Sequence, residues 1–117
     1  MAHKVIDLFA GVGGLSYGFS VKSEFKITMA NEIEKDISIA YSLNHPLVKV
    51  LNKDIKQLTA DEIFETSEKN VDVIIGGPPC QSYSTLGKRK MDARAHLFEE
   101  YCRILSIVSP KFSFLRM

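Results

Sequence analysis

The chain contains no tryptophan, only two cysteines and no surplus of either charge: fifteen Lys and Arg stand against fourteen Asp and Glu, for a net charge of +1. Two cysteines, Cys80 and Cys102, are too few for a disulfide scaffold and lack the spacing of metal ligands. A reducing, cytoplasmic setting is therefore expected, and it keeps both thiols free. Balanced charge excludes the chain-wide basic field of a duplex-binding domain, so any nucleic acid is met by a local patch or by surface carried elsewhere. No apolar run is long enough to span a bilayer, and no signal peptide opens the chain, so no membrane partner is expected. Internal repeats and low-complexity tracts are absent. His3, His45 and His96 are scattered and form no metal site. What remains is ordinary: 117 residues, 45% apolar and 25% charged, enough for one small domain with one core.

Hydrophobic patterning predicts alternating strands and helices. Strands are expected over 4–9, 25–30, 48–51 and 71–75, with a fifth opening at 112. Helices are expected over 15–20, 35–43, from 59 to about 68, and over 96–108. Asn44-His45-Pro46 stops the second helix, and Thr59-Ala60-Asp61-Glu62 reads as a capping box. Leu97, Phe98, Tyr101, Ile104, Leu105 and Val108 recur at helical spacing, and Pro110 follows. Residues 82–96 read as a long polar loop. Tyr17, Phe19 and the aromatics of the last helix read as core, as does Cys102 at its border. This alternation implies βαβ units and a mostly parallel sheet, in which ligands sit outside the carboxyl ends of the strands.

Two segments carry chemistry. Asp7-Leu8-Phe9-Ala10-Gly11-Val12-Gly13-Gly14 is a glycine-rich turn from strand to helix, which lets a ligand approach the backbone closely. A nicotinamide fingerprint needs glycine where Ser16 stands, so Gly-x-Gly-Gly favours a compact methyl donor over a dinucleotide. Gly76-Gly77-Pro78-Pro79-Cys80-Gln81-Ser82 follows an apolar strand, and its prolines fix the backbone ahead of the sulfur. A lone cysteine is more often a small buried residue, but this setting presents a nucleophile. Glu32, at the end of the second strand, stands where an acid accepts hydrogen bonds from ribose hydroxyls. Taken alone, it reads equally well as a solvated carboxylate, and Asp54 as a surface turn residue. The basic stretch with Lys88, Arg89, Lys90 and Arg94 reads alone as a solvated loop.

Together and in this order, the two segments resemble the start of the cytosine-5 DNA methyltransferase family, over nearly the whole chain. The resemblance implies a partial Rossmann-like α/β fold for S-adenosylmethionine-dependent methyl transfer, with about five strands. Residues 1–117 would be the amino-terminal part of the catalytic domain. It implies that Phe9, Ala10, Gly11, Gly13 and Gly14 cradle S-adenosylmethionine, with Glu32 on the ribose and Ile33 on the adenine. Asp54 would accept from the adenine amino group, Ile55 would lie against the ring, and Gly77, Pro79 and Leu97 would border the donor. Cys80 would be the nucleophile, with Gln81 and Ser84 beside it. Asp92, Arg94, Leu97 and Phe98 match a loop that closes over double-stranded DNA, where Lys88, Arg89, Lys90 and Arg94 would meet phosphates.

The likeness breaks at the last residues. The family continues the fifth strand into Glu-Asn-Val, whereas Arg116 falls where that glutamate belongs, and the target-recognition region is absent. Deleting one nucleotide from codons for Lys-Phe-Phe-Phe-Leu-Glu-Asn yields Lys-Phe-Ser-Phe-Leu-Arg-Met, the final seven residues. Natural truncation or an engineered fragment fits equally. The chain alone is expected to be inactive, and its apolar sheet edge to invite self-association or a complementing chain. Beside a restriction–modification methyltransferase, two readings stay open: an RNA cytosine methyltransferase, and a non-catalytic module that binds S-adenosylmethionine or completes a partner.

Overall fold

The computed structural model describes residues 2–77 and 88–115, and of residues 88–95 the backbone alone. In chain order the elements are β1 (His3–Leu8), α1 (Gly14–Ser20), β2 (Phe25–Asn31), α2 (Lys35–Asn44), β3 (Lys49–Leu51), a 3-10 turn (Ile55–Gln57), α3 (Ala60–Ser67), β4 (Val73–Gly76), α4 (Lys88–Val108) and β5 (Phe112–Leu115). The five strands form one sheet in the order β3-β2-β1-β4-β5, and every described pair is parallel. The expected α/β class and five-stranded parallel sheet are thus present.

Alternation along β1 sends its residues to two faces. Ile6 and Leu8 join Met29 and Ile74 beneath Ile55, Leu58, Ile63, Tyr101 and Ile104, so α3, α4 and the 3-10 turn cover that side. Val5 faces the other way with Ile27, Val73 and Ile75, under Leu15 and Phe19 of α1. Ala30 continues that side against Tyr41 of α2. Each such aliphatic side chain contributes about 1.5–3 kcal/mol relative to full exposure. A register shift opposite Val5 and Ile6 makes Thr28 an extra residue in β2. It puts Ile27 and Met29 on opposite faces, although they are two apart. The Thr28 hydroxyl donates to the Val5 carbonyl at 3.3 Å, which occupies one group of the disturbed ladder.

The capping residue Thr59 accepts from the Glu62 N–H at 3.2 Å, and Lys53 engages the Glu62 carboxylate. Only the first half of the capping box forms, because Glu62 is drawn to Lys53 rather than back to the cap. Thr59→Ala is expected to lower unfolding free energy in urea by about 1 kcal/mol. Arg103 of α4 donates to the Leu58 and Ile55 carbonyls, both at 2.9 Å, and so ties the helix to the 3-10 turn.

Three expectations need correction. The polar stretch is not a loop throughout, since α4 begins at Lys88. Lys, Arg, Met and Ala there are good helix formers, and their propensity prevails over a reading based on polarity. Tyr17 is not core but 64% exposed, because α1 turns Ser16 inward and Tyr17 away from the sheet. Phe98 is half-exposed, while Tyr101, at the next position on the apolar face, is buried. On the edge strand β5, Phe112 and Phe114 are also well exposed. With Phe19, Phe25 and Val73 they line an apolar cavity of about 260 Å³. No helix among the described residues is long and apolar enough to cross a membrane.

Candidate active site

Parallel pairing brings the carboxyl ends of the strands to one edge of the sheet. The chain leaves β1 for β2 on one side, and β4 pairs on the other, so the crevice of this topology opens above β1 and β4. Phe9, Glu32, Asp54 and Gly77 all follow strand ends there, as the pattern of the sequence predicts.

The glycine turn is built from unusual backbone. Phe9 has φ 55°, Gly11 φ 60° and Gly13 φ 96°. A bulky residue at positive φ is strained, and such strain concentrates at functional sites. The Ala10 N–H donates to the Asn31 carbonyl at 3.1 Å, and the Gly13 N–H to the Ala10 carbonyl at 3.1 Å. Among the described residues a Cβ on Gly11 would meet nothing within 4 Å, so its positive φ is what calls for glycine there. At Gly13 a Cβ would lie 2.6 Å from the His45 Nε2.

Glu32 is buried at the end of β2 and faces this turn. Its Oε1 accepts from the Gly11 N–H and its Oε2 from the Glu34 N–H, each at 2.9 Å. The amide of Asn52 donates to the Glu32 and Ile33 carbonyls, both at 2.8 Å, and the Asn31 amide donates to the Lys53 carbonyl at 2.9 Å. Two asparagines therefore staple the β2 end to the segment after β3. Ile33 is left 57% exposed beside Glu32. The Asp54 Oδ1 accepts from the Lys56 N–H at 3.0 Å and caps the 3-10 turn. Ile55 goes into the core with Leu58 and Ile63, so its side chain does not line the open mouth.

Gly76 ends β4 directly over Tyr101, where a Cβ would come within 2.7 Å of the ring and 3.0 Å of the Leu8 carbonyl. Burial pushes the Tyr101 phenol up to about 12. Gly77 is half-buried beside this contact, and Leu97 packs on the edge of the same core. Pro79, Cys80, Gln81 and Ser84 lie outside the described residues. Lys88, Arg89, Lys90 and Arg94 are on α4, but their side chains also fall outside them.

Beneath the turn lies a polar cluster that motif reading did not find. Asp7, only 1% exposed, accepts from the Ser16 hydroxyl at 2.5 Å, and Ser16 is 2.6 Å from the Tyr41 hydroxyl. Burial lifts the Asp7 carboxyl to about 7; the Ser16 bond opposes this and the Glu32 charge adds to it. Burial also holds the Tyr41 phenol well above its ordinary range. The one available signal was Asp7 itself, a carboxylate inside an apolar strand. No cluster of metal-ligating side chains occurs among the described residues.

A family model for the C-5 cytosine-specific DNA methylases matches residues 3–115. The chain belongs to that family. Type II methyltransferase M.NgoPII of Neisseria gonorrhoeae is 43% identical over 111 residues, which cover 93% of this chain and 31% of that enzyme. Among solved structures, an E. coli prophage-encoded protein described as a DNA modification methyltransferase superposes with a TM-score of 0.80 at 35% identity. That match covers 96% of this methylase chain and 31% of the other. A mutant DNMT2 of Spodoptera frugiperda gives a TM-score of 0.56 at 34% identity, over 74% of this chain and 26% of that one. The methylase chain thus spans about a third of the length of the curated relatives it matches.

Proposed function

We propose that this chain is the amino-terminal, donor-binding part of a DNA (cytosine-5) methyltransferase of the restriction–modification type, acting in the cytoplasm on double-stranded DNA. The observation that carries the reading is the glycine turn: held at positive φ, pinned through the Gly11 N–H by buried Glu32, and set at the carboxyl edge of a parallel sheet. A compact sulfonium donor such as S-adenosylmethionine fits that arrangement. Phe9, Ala10, Gly11, Gly13 and Gly14 shape its seat. The remaining lone pairs of Glu32 suit ribose hydroxyls, exposed Ile33 suits an adenine face, and Asp54 suits its amino group. Gly77, Pro79 and Leu97 complete the border, and Ile55 supports it from the core.

The donor supplies an electrophilic methyl group. Cys80 forms a bond from its thiolate to carbon 6 of a cytosine turned out of the duplex, and the ring electrons move to carbon 5. Carbon 5 would take the methyl group as the donor's sulfur–methyl bond breaks and its sulfur leaves as a neutral thioether; carbon 5 would then lose its proton to a base, and the Cys80 sulfur–carbon bond would break to return the thiolate. Gln81 and Ser84 flank this chemistry. Lys88, Arg89, Lys90 and Arg94 hold phosphates, which gives affinity without sequence choice.

Calorimetry with S-adenosylhomocysteine tests the donor site. Glu32→Ala is expected to weaken binding by about tenfold or more, since it removes charge-assisted bonds. Identical heats for the variant and the parent would overturn the assignment. We further propose that residues 1–117 taken by themselves, which match a third of such a relative, transfer no methyl group. Transfer of tritiated methyl to duplex DNA by the purified chain would refute this.

A further inference from the structure

We infer that the last turn of α2 is a positioning clamp for the methyl-donor turn, with Tyr41, Asn44 and His45 as its three jaws. The inference rests on the reading of the glycine turn as the donor seat.

α1 has no lock of its own. Its N-cap is Gly13, which offers no side chain to the helix end, and the turn before it holds three residues at positive φ. Such a segment gains little from local structure and needs an outside partner to stay in one conformation. That partner is α2. Tyr41 and Asn44 lie one turn apart at its carboxyl end, and His45 is its C-cap, at φ −134° and ψ 71°. The Tyr41 hydroxyl donates to Ser16 Oγ at 2.6 Å, and Ser16 in turn donates to Asp7 at the end of β1. The Asn44 Nδ2 donates to the Val12 carbonyl at 3.1 Å. The His45 Nε2 donates to the Gly13 carbonyl at 3.2 Å, which fixes the proton on that nitrogen. The His45 and Tyr41 rings lie 4.6 Å apart, and both touch the spot where Gly13 would carry a Cβ.

Three contacts therefore hold three points of a five-residue stretch, at Val12, Gly13 and Ser16. The amino end of the same helix starts at Glu34, whose N–H donates to Glu32. One helix thus joins the carboxylate read as the ribose acceptor to the turn read as the sulfonium seat. α2 thereby braces from both ends the direct bond between Glu32 and the Gly11 N–H. Rigid support of this kind is what a precise binding site requires.

The test uses this chain with Tyr41→Phe, Asn44→Ala and Asn44→Gln, read by amide hydrogen exchange and by calorimetry with S-adenosylhomocysteine. Asn44 is exposed, so Asn44→Ala leaves the melting temperature unchanged while the Gly13 N–H, bonded to the Ala10 carbonyl, exchanges faster. Loss of one such bond is expected to weaken ligand binding about five- to tenfold in either Tyr41→Phe or Asn44→Ala, with partial recovery in Asn44→Gln. Unchanged affinity in both variants, with Glu32→Ala weakened, overturns the clamp and leaves the donor site standing. If the parent binds no ligand, the donor reading fails and exchange alone decides. Unchanged protection at Gly13 in Tyr41→Phe and Asn44→Ala then overturns the clamp.

Discussion

Gly13→Ala should both destabilise the chain and abolish the S-adenosylhomocysteine binding proposed for it. Two costs act at this position. The backbone sits at φ 96° and ψ 21°, a region that costs an L-residue roughly 1–2 kcal/mol. The new Cβ would also lie 2.6 Å from the His45 Nε2, 2.7 Å from its Cδ2 and 3.0 Å from the Tyr41 ring. Both rings are buried, so neither can swing clear without opening the core, and overpacking of this kind costs about 1–3 kcal/mol. A combined loss of about 2–5 kcal/mol is expected in urea unfolding, a large share of a small domain's stability. Gly14→Ala is the contrasting case. Among the described residues no atom stands within 4 Å of its added Cβ, and it occupies the first position of α1. It should leave stability unchanged or raise it by up to about 1 kcal/mol. Adding His45→Ala to Gly13→Ala should relieve the steric part and leave the conformational part. Equal midpoints for the parent and Gly13→Ala would show that the turn is soft and that His45 does not press on it.

The contrast between these glycines shows what a sequence can and cannot disclose. Gly-x-Gly-Gly after an apolar strand marks a strand-to-helix turn, because positive φ selects glycine locally. The same is true of the strands: residues buried on both sheet faces leave continuous apolar runs, as in Val73, Ile74 and Ile75. Glu32 was legible because a carboxylate closes such a run. The reason that Gly13 admits no side chain was not legible, because His45 lies 32 positions away and reaches it through a backbone carbonyl. Contacts from a side chain to a distant backbone leave no period behind. Asn44 and His45 therefore read only as a helix stop. The start of α4 was missed for another reason. A basic run reads as a loop by polarity, although its residues favour helix. Ile55 follows Asp54 directly, yet the 3-10 turn rotates its side chain into the core.

Asp7→Asn should remove a loss of stability that the parent chain suffers as pH rises from about 4 to about 7. The Asp7 carboxyl is lifted from 3.8 to about 7 by burial, with the Glu32 charge adding and the Ser16 hydroxyl opposing. Tyr41 and Tyr101 also feel its charge. The sign follows from linkage. Between pH 4 and 7 the folded chain keeps this proton while the unfolded chain has released it, so stability falls as pH increases and levels off above about 7. A shift of that size corresponds to a penalty on the order of 4 kcal/mol at pH 8. Asparagine carries no charge there, and its amide oxygen still accepts from Ser16. The variant should therefore unfold at higher urea than the parent at pH 8, and the gap should narrow by pH 5. Asp72 works in another window. The backbone N–H of Lys4 holds its carboxyl below the usual range, so its contribution is present above the ordinary carboxylate value and is lost only in acid. Parallel pH profiles for the parent and Asp7→Asn from pH 5 to 8 would mean that Asp7 is ionised in the folded chain. The hydroxyl relay beneath the glycine turn would then hold a fixed negative charge rather than a proton.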